Sequence, residues 1–191
     1  PSTGGELERL TSQSLRDSDW PWACRFSWSP DGERIAFSDN DDNEGVDLFT
    51  IRLNDGAIEQ LTEHAGIEQH PGWSPDGRSI VYVSNQSGLD EFVVYELATG
   101  AERRVPMDAL SGISYPVWSP DGKWIAFLAE STEGLASFIV SVKGGVAQKI
   151  GPGSKFANWG PAWDPDGDHL LHHAEERIDT PLIVRDMVSG R

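Results

Sequence analysis

The sequence predicts an all-β protein, a β-propeller of four-stranded antiparallel blades, and three observations support this prediction. A tryptophan followed by a Ser/Asp-Pro-Asp-Gly turn occurs four times, each time 45 residues after the last. Every period holds short runs of β-branched and aromatic residues bounded by turn residues, and no segment shows the apolar period of a helix. A repeat of about 40–45 residues with four strands is typical of a propeller blade. The four motifs are Trp28–Gly32, Trp73–Gly77, Trp118–Gly122 and Trp163–Gly167.

The elements follow the same order in each period, as the second period illustrates. An apolar approach ends at Trp73, and the turn Ser74–Gly77 follows, in which proline presets φ and glycine accepts a positive φ. An alternating strand comes next, Ser79–Ser84, and after a loop a third strand, Phe92–Leu97. A second glycine turn then leads to a fourth strand, Ala101–Pro106. The other periods repeat this order, except that the last one finishes after its third strand.

We expect the whole chain, residues 1–191, to form one propeller domain. The segment Thr3–Thr11 matches the fourth-strand segment Asn54–Thr62, so residues 1–11 are predicted to supply the outer strand that the last blade lacks. Three arrangements are open: a closed ring of four blades, a part of a larger ring, and a larger ring formed by self-assembly of two copies. The predicted blades span residues 24–62, 69–106, 114–151 and 159–191.

The repeat resembles a known family. The pattern Pro-x-Trp-Ser-Pro-Asp-Gly, followed by a strand and by a stretch such as Leu48–Thr62, resembles the propellers of TolB-like proteins. It is also similar to the N-terminal propellers of prolyl oligopeptidase and dipeptidyl peptidase relatives. The resemblance covers nearly the whole chain and implies a periplasmic or secreted protein, a location that the residues themselves do not indicate. Because both families share the repeat, and propellers support many activities, it specifies the blade type more closely than the function.

The acidic composition excludes several classes of function. The chain carries 31 acidic residues against 15 Lys and Arg, a net charge of −16 at pH 7. Such a charge repels a phosphate backbone, so we expect no nucleic-acid partner. No apolar run reaches the ~18 residues of a membrane helix. The single cysteine, Cys24, allows neither an internal disulfide nor a cysteine-based zinc site.

The two ends of the predicted propeller differ in what they can recognise. The Ser-Pro-Asp-Gly turns and the second glycine turns share one end, the turn face, where every residue has a backbone reason to be present. Longer and more variable loops occupy the other end, the loop face, and such loops usually carry binding. Residues just before the innermost strands should surround the channel mouth there, either to bind a partner or only to plug the channel. These candidates are Arg25, Gln69, His70, Ser114, Tyr115, Asn158 and Trp159.

One loop has the alternating oxygen ligands of a calcium site. Asp39, Asp41 and Asn43 alternate along the chain, and Glu44 follows directly. The glycine stands one place late for a helix-flanked calcium loop, and so acidic a chain produces such clusters by chance. A solvated acidic loop is therefore the favoured alternative, and calcium is the one cofactor considered.

No catalytic motif is found in the sequence. The segment nearest to a Gly-x-Ser-x-Gly nucleophile elbow, Gly72–Asp76, lacks the last glycine and lies in a propeller turn. His169 and His172 fall on opposite faces of a strand, so we predict a core histidine at position 172 and no metal pair. We therefore predict a non-catalytic TolB-like propeller that binds a protein or peptide through its loop face. The alternative is the substrate-gating propeller of a prolyl-oligopeptidase-like serine peptidase whose catalytic domain lies elsewhere.

Overall fold

The structure, a computed structural model, describes residues 26–40, 45–153, 160–173 and 182–187 of the 191-residue chain. In these ranges fifteen strands form four antiparallel sheets, and the strands of each sheet lie side by side in chain order. We call the sheets blades 1 to 4. The predicted all-β architecture of four-stranded blades is thereby confirmed. None of the described residues forms a helix, and so none forms a helix that could cross a membrane.

The strands are short, as expected for propeller blades. Blade 1 consists of β1 (Phe26–Trp28), β2 (Arg34–Asn40), β3 (Val46–Arg52) and β4 (Ile58–Gln60). Blade 2 consists of β5 (Glu68–Trp73), β6 (Ser79–Ser84), β7 (Glu91–Glu96) and β8 (Ala101–Arg104). Blade 3 consists of β9 (Ser114–Trp118), β10 (Trp124–Ser131), β11 (Gly134–Ser141) and β12 (Gln148–Lys149). Blade 4 has three described strands, β13 (Ala162–Trp163), β14 (His169–His173) and β15 (Leu182–Asp186).

Strand bounds agree best with the sequence prediction just after the turns. The second strand of every blade begins at the predicted residue, and β6 matches the predicted segment at both ends. The fourth strands are shorter than predicted, since β4 has three residues and β12 has two. The N-terminal segment predicted to complete blade 4, residues 1–11, lies outside the described residues, and its pairing stays a prediction.

Each Ser-Pro-Asp-Gly turn is closed by the same set of hydrogen bonds. In blade 2, the Ser74 hydroxyl donates to Asp76 at 2.7 Å and accepts the Ser79 amide at 2.9 Å. The Asp76 carboxylate also accepts the Arg78 amide at 3.0 Å. Gly77 has a φ of 70°, the left-handed conformation that glycine adopts without a steric cost. Blades 1 and 3 make the same three side-chain bonds.

The turn carboxylates are stabilised in their charged form. The hydrogen bond from Ser74 lowers the pKa of Asp76, and the hydrogen bonds from Ser119 and Lys123 lower the pKa of Asp121 to about 2. In blade 4, Asp164 replaces the serine and accepts the His169 amide at 3.0 Å. Its other carboxylate oxygen lies 2.8 Å from the His169 ring nitrogen Nδ1. The turn therefore keeps its shape with a different pair of side chains.

The core lies between the blades and not within them. Blade 1 contributes Leu48 to a cluster with Tyr82 and Val93 of blade 2. The largest cluster joins blades 2 and 3, and in it the rings of Phe92 and Phe127 meet edge to face at 4.9 Å. The cluster between blades 3 and 4 contains Ala126, Ile139, Ile150 and Leu170. Among the described residues, the buried apolar clusters each join consecutive blades.

Two of the repeated tryptophans, Trp73 and Trp118, hold their blades against the preceding blade. Trp73 is buried against Ala36 of blade 1, and the Trp118 indole donates to the Gly72 carbonyl of blade 2 at 3.0 Å. The inner strands also approach closely, because a Cβ on Gly72 would lie 2.6 Å from the Pro116 carbonyl oxygen. Any side chain at position 72 would therefore push blades 2 and 3 apart.

Replacing Ser74 by Ala should destabilise the protein. The change leaves the Ser79 amide and the Asp76 carboxylate each without one hydrogen bond, which costs about 1–2 kcal/mol of the free energy of unfolding. Urea denaturation measures this loss. The control is Ser87→Ala, which alters an exposed loop serine with one weak hydrogen bond. Equal stability of the two variants would contradict the assigned role of the turn serine.

Candidate functional site

The predicted channel residues His70 and Tyr115 lie at equivalent positions in neighbouring blades. Both were predicted to lie just before the innermost strands, and this boundary was wrong, because they lie inside β5 and β9. At both positions the register shifts by one residue, which defines a β-bulge opposite the middle of the next strand. The chain therefore repeats the bulge after 45 residues, as it repeats the turns.

Both bulge residues adopt a left-handed backbone conformation. The φ angle is 57° at His70 and 55° at Tyr115, and all other described residues with positive φ are glycines. A residue with a Cβ pays about 1–2 kcal/mol for this conformation. The rings of His70 and Tyr115 are in contact, with centroids 4.7 Å apart and planes inclined at 36°. Backbone strain of this kind is concentrated at functional sites.

Gly160 occupies the position in blade 4 that corresponds to His70 in blade 2 and Tyr115 in blade 3. It stands 45 residues after Tyr115, and a Cβ at this position would lie 2.7 Å from the Cβ of Tyr115. Tyr115 thus fills the space that a side chain at position 160 would need. His70, Tyr115 and Gly160 follow one another along the inner edge of blades 2, 3 and 4.

The remaining channel candidates are only partly covered by the described residues. Gln69 pairs with Val83 and Ser114 pairs with Leu128, each beside the bulge of its strand, and both are half-buried. Arg25, Asn158 and Trp159 lie outside the described residues. Their place at the channel mouth stays a prediction.

A polar network between blades 1 and 2 was missed by the sequence analysis. Asp47 is fully buried and accepts hydrogen bonds from Thr62 at 3.1 Å and from the Gln60 side chain at 3.1 Å. Glu68, also fully buried, accepts the Ser84 hydroxyl at 3.3 Å, and its second carboxylate oxygen has no hydrogen-bond partner among the described residues. The repeat contained a signal for Glu68, because Ile113 occupies the same place one period later.

The network extends to the surface through His64 and Glu102, whose ring nitrogen Nε2 and carboxylate oxygen Oε1 are 2.9 Å apart. Burial raises the pKa of Glu68, a hydrogen bond with Thr62 and the charge of His64 lower it, and the charges of Asp47 and Glu102 raise it further, so that the net shift is upward. Burial lowers the pKa of His64, but the hydrogen bond with Glu102 and the nearby carboxylates outweigh it, so that its pKa is raised.

A shallow cavity of about 320 Å³ adjoins this network on blade 2. Its wall combines acidic, basic and hydroxyl groups, and Arg104 forms an ion pair with Glu91 at 3.3 Å. Ser84 and Glu102 belong both to the cavity and to the network. The lining residues are Tyr82, Ser84, Gln86, Val93, Glu102 and Arg104.

Of the four calcium candidates, the structure describes only Asp39. Asp39 lies in β2 opposite Asp47, whereas Asp41, Asn43 and Glu44 lie outside the described residues. Within those residues no group of three or more acidic, His or Cys side chains is arranged to hold a metal ion. His172 is buried beside Gly151, as predicted for a core histidine.

The fold and the repeated turns define the class of protein. The chain is a β-propeller whose blades begin with a tryptophan and a Ser/Asp-Pro-Asp-Gly turn. Residues 22–190 match the family model of the TolB beta propeller domain, and the chain belongs to this family.

Known proteins are similar in sequence to about half of the chain. It is 31% identical over 96 residues to the Tol-Pal system protein TolB of Francisella tularensis. The aligned region covers 49% of this chain and 22% of the relative. It is 30% identical over 117 residues to Dipeptidyl-peptidase 5 of Porphyromonas gingivalis. This alignment covers 54% of this chain and 17% of the relative. The chain therefore spans a minor part of the length of these curated relatives.

Solved structures agree on the fold. TolB from Acinetobacter baumannii superposes with a TM-score of 0.73 at 21% identity, over 86% of this chain and 41% of that one. A putative TolB from Agrobacterium tumefaciens superposes with a TM-score of 0.72 at 25% identity. The superposition covers 89% of this chain and 65% of that one.

Replacing Glu68 by Gln should raise the free energy of unfolding at neutral pH. A raised pKa in the folded protein means that the charged form is disfavoured by folding, so removing the charge stabilises the fold above that pKa. The gain should shrink as the pH falls towards the ordinary value of 4.5, where the native carboxyl is protonated. Urea denaturation across this pH range measures the effect.

The matched control is Glu33→Gln, which removes the same charge from an exposed position. A gain from Glu68→Gln that is independent of pH, or a loss of stability at neutral pH, would contradict the assigned cost of the buried charge.

Proposed function

We propose that this domain is a non-catalytic scaffold that binds a protein or peptide through its loop face, centred on His70 and Tyr115. The observation that supports the proposal is the contact between these two rings, each on a left-handed bulge. A propeller could fill its channel with unstrained apolar residues. Two neighbouring blades instead accept the same backbone cost to hold a buried histidine against a half-buried tyrosine.

The turn face is a poor alternative for specific binding. Its serines and aspartates are used in hydrogen bonds that close the turns, and its glycines are needed for positive φ. The same side chains recur in three blades, so this face has little capacity to distinguish one ligand from another. The residues at the bulges differ between blades, which is what an asymmetric ligand requires.

Charge indicates the chemistry of the partner. The chain has a net charge of −16, and the buried carboxylates of Asp47 and Glu68 lie near the loop ends of their strands. A partner rich in Lys and Arg would be attracted by this field, and its association rate would fall as salt is added. Aromatic side chains such as Tyr115 contribute strongly at interface centres.

Tyr115→Ala should weaken partner binding by about thirtyfold or more, the effect of losing a hot-spot side chain of ~2 kcal/mol. A random peptide library selected on the immobilised protein provides the probes, and fluorescence anisotropy measures their affinity for each variant. We expect the selected peptides to be basic and to bind more weakly at high salt.

Arg78→Ala, an exposed change on the turn face, serves as the control and should leave the affinity unchanged. Selected peptides that bind Tyr115→Ala normally, but are displaced by changes around Asp31, Asp76 and Asp121, would refute the loop-face assignment.

A second candidate function has one specific observation in its favour, the similarity to Dipeptidyl-peptidase 5. Under this proposal the propeller gates substrate access to a serine peptidase domain encoded elsewhere in the same gene. An α/β-hydrolase region after residue 191 in the gene would favour gating, and a small α/β domain before residue 1 would favour the TolB-like scaffold. We infer a periplasmic or secreted location from family membership alone.

Calcium binding by Asp39, Asp41, Asn43 and Glu44 stays a separate proposal. Calorimetric titration of metal-stripped protein tests it, with Asp41→Asn as the variant that should abolish any heat of binding. An absence of heat at millimolar calcium would identify the segment as a solvated acidic loop.

A further inference from the structure

The dipeptide Asp-Gly occurs five times in the chain, each time in a turn. This dipeptide can cyclise, because the glycine nitrogen can attack the carboxyl carbon of the aspartate side chain and glycine has no side chain to hinder the approach. All five aspartates are exposed, so water reaches each of them and local hydrogen bonding is what distinguishes them. The five steps are Asp31–Gly32, Asp55–Gly56, Asp76–Gly77, Asp121–Gly122 and Asp166–Gly167.

The attacking nitrogens of the five steps are held alike. The Gly77 amide donates to the Ser74 carbonyl at 3.0 Å, and the Gly167 amide donates to the Asp164 carbonyl at 3.1 Å. The other three glycine amides make the same kind of bond at 2.9 Å. All five glycines have φ angles between 68° and 79°. The difference between the steps therefore lies in the carboxyl groups.

Three of the carboxylates are held by the repeated turn. Each accepts the hydroxyl of the turn serine and the amide two residues after itself. These bonds fix the carboxyl group in one position and favour its ionised form, which resists attack by nitrogen. The hydrogen bond from the serine accordingly lowers the pKa of each of the three. The three are Asp31, Asp76 and Asp121.

A fourth carboxylate, that of Asp55, is held by different groups. It accepts the Arg52 guanidinium at 2.7 Å and the Ala57 amide at 3.1 Å. The hydrogen bond from the Ala57 amide lowers its pKa, and the charge of Arg52 acts in the same direction. Asp55 is thus protected in the same way as the aspartates of the serine turns.

Asp166 differs because Asp164 stands where the other turns have serine. A hydroxyl both donates and accepts, whereas an ionised carboxylate only accepts. The Asp164 carboxylate accepts the His169 amide at 3.0 Å, as the turn serines accept theirs. It has no proton to donate to Asp166, and it repels the second negative charge. No residue that the structure describes donates a hydrogen bond to the Asp166 carboxylate.

We propose that Asp166 is a site of spontaneous covalent modification, at which the chain forms a succinimide and then an isoaspartate. In the first step the Gly167 nitrogen bonds to the side-chain carboxyl carbon of Asp166, and the amide proton and the carboxyl hydroxyl leave as water. In the second step water adds to the ring carbonyl that came from the Asp166 main chain and breaks its bond to the Gly167 nitrogen. The product has the original mass and a free carboxylate, but the chain now runs through the side chain of residue 166.

The modification lengthens the main chain of the turn by one carbon. The Gly167 amide and the His169 amide both donate to Asp164, one to its carbonyl and one to its carboxylate. A longer chain between Asp164 and His169 should weaken these bonds and loosen the connection between β13 and β14. The proposal requires no binding partner, so it stands or fails independently of the loop-face function.

Storage of the 191-residue chain at mildly acidic pH and physiological temperature tests the proposal. Peptide mapping with electron-transfer fragmentation quantifies isoaspartate at each step, and the four protected steps are internal controls. We expect at least about tenfold more isoaspartate at position 166 than at any other step, because the other carboxylates must first lose their hydrogen bonds. Storage in concentrated urea removes those bonds and should bring the five yields close together.

Two variants test the assigned cause. Asp164→Ser gives blade 4 the serine of the other turns and should lower the yield at Asp166 to that at Asp76. Ser74→Ala should raise the yield at Asp76 and leave the yield at Asp121 unchanged. Circular dichroism verifies that each variant is folded, and Asp166→Glu, which cannot close the same ring, identifies the signal. A native yield at Asp166 no higher than at the other steps would overturn the proposal, as would a yield unaffected by Asp164→Ser.

Discussion

The hydrogen bond from each turn serine to the aspartate two residues later is the contact on which the rest of the fold depends. It fixes the direction in which the chain leaves the tryptophan and enters the second strand. Because the turn has the same shape in these blades, Trp73 and Trp118 both meet the blade before them, Trp73 by packing on Ala36 and Trp118 by a hydrogen bond to Gly72. The inter-blade core is assembled from these repeated contacts, and the rigid frame they form positions every loop.

Function requires departures from the repeat, and the departures have physical causes. Glu68 stands where Ile113 is buried one period later, and its carboxylate is held against Ser84 with a raised pKa. Such a group destabilises the frame, in contrast to the turn aspartates, whose pKa values are lowered by their hydrogen bonds. The turn aspartates thus stabilise the fold at the turn face, and the buried carboxylate of Glu68 destabilises it at the loop face. This division matches the proposed roles of the turn face and the loop face.

The sequence predicted the features that depend on local residue type and failed where the conformation depends on neighbouring blades. Proline, glycine and the 45-residue spacing were sufficient for the turns and for the starts of β2, β6, β10 and β14. The bulges were not predicted, since neither His70 nor Tyr115 is a glycine, the residue type that most readily adopts the left-handed φ found at these positions. The short fourth strands were overestimated because their length is limited by pairing at an outer edge. The contact between His64 and Glu102 joins residues 38 apart, which no local pattern reveals.

Within the described residues the blades pack only against their neighbours, as the units of a one-dimensional array do. The described clusters each join two consecutive blades and none spans three, so the stability is a sum of unit terms and junction terms. The junction between blades 2 and 3 is the largest, which makes the middle of the array the last part to open. Among the described strands, amide protons in β6 and β10 would then exchange most slowly. An array of this kind lengthens or shortens by whole units, because a duplicated period brings its own turn, its own tryptophan and both of its junction surfaces.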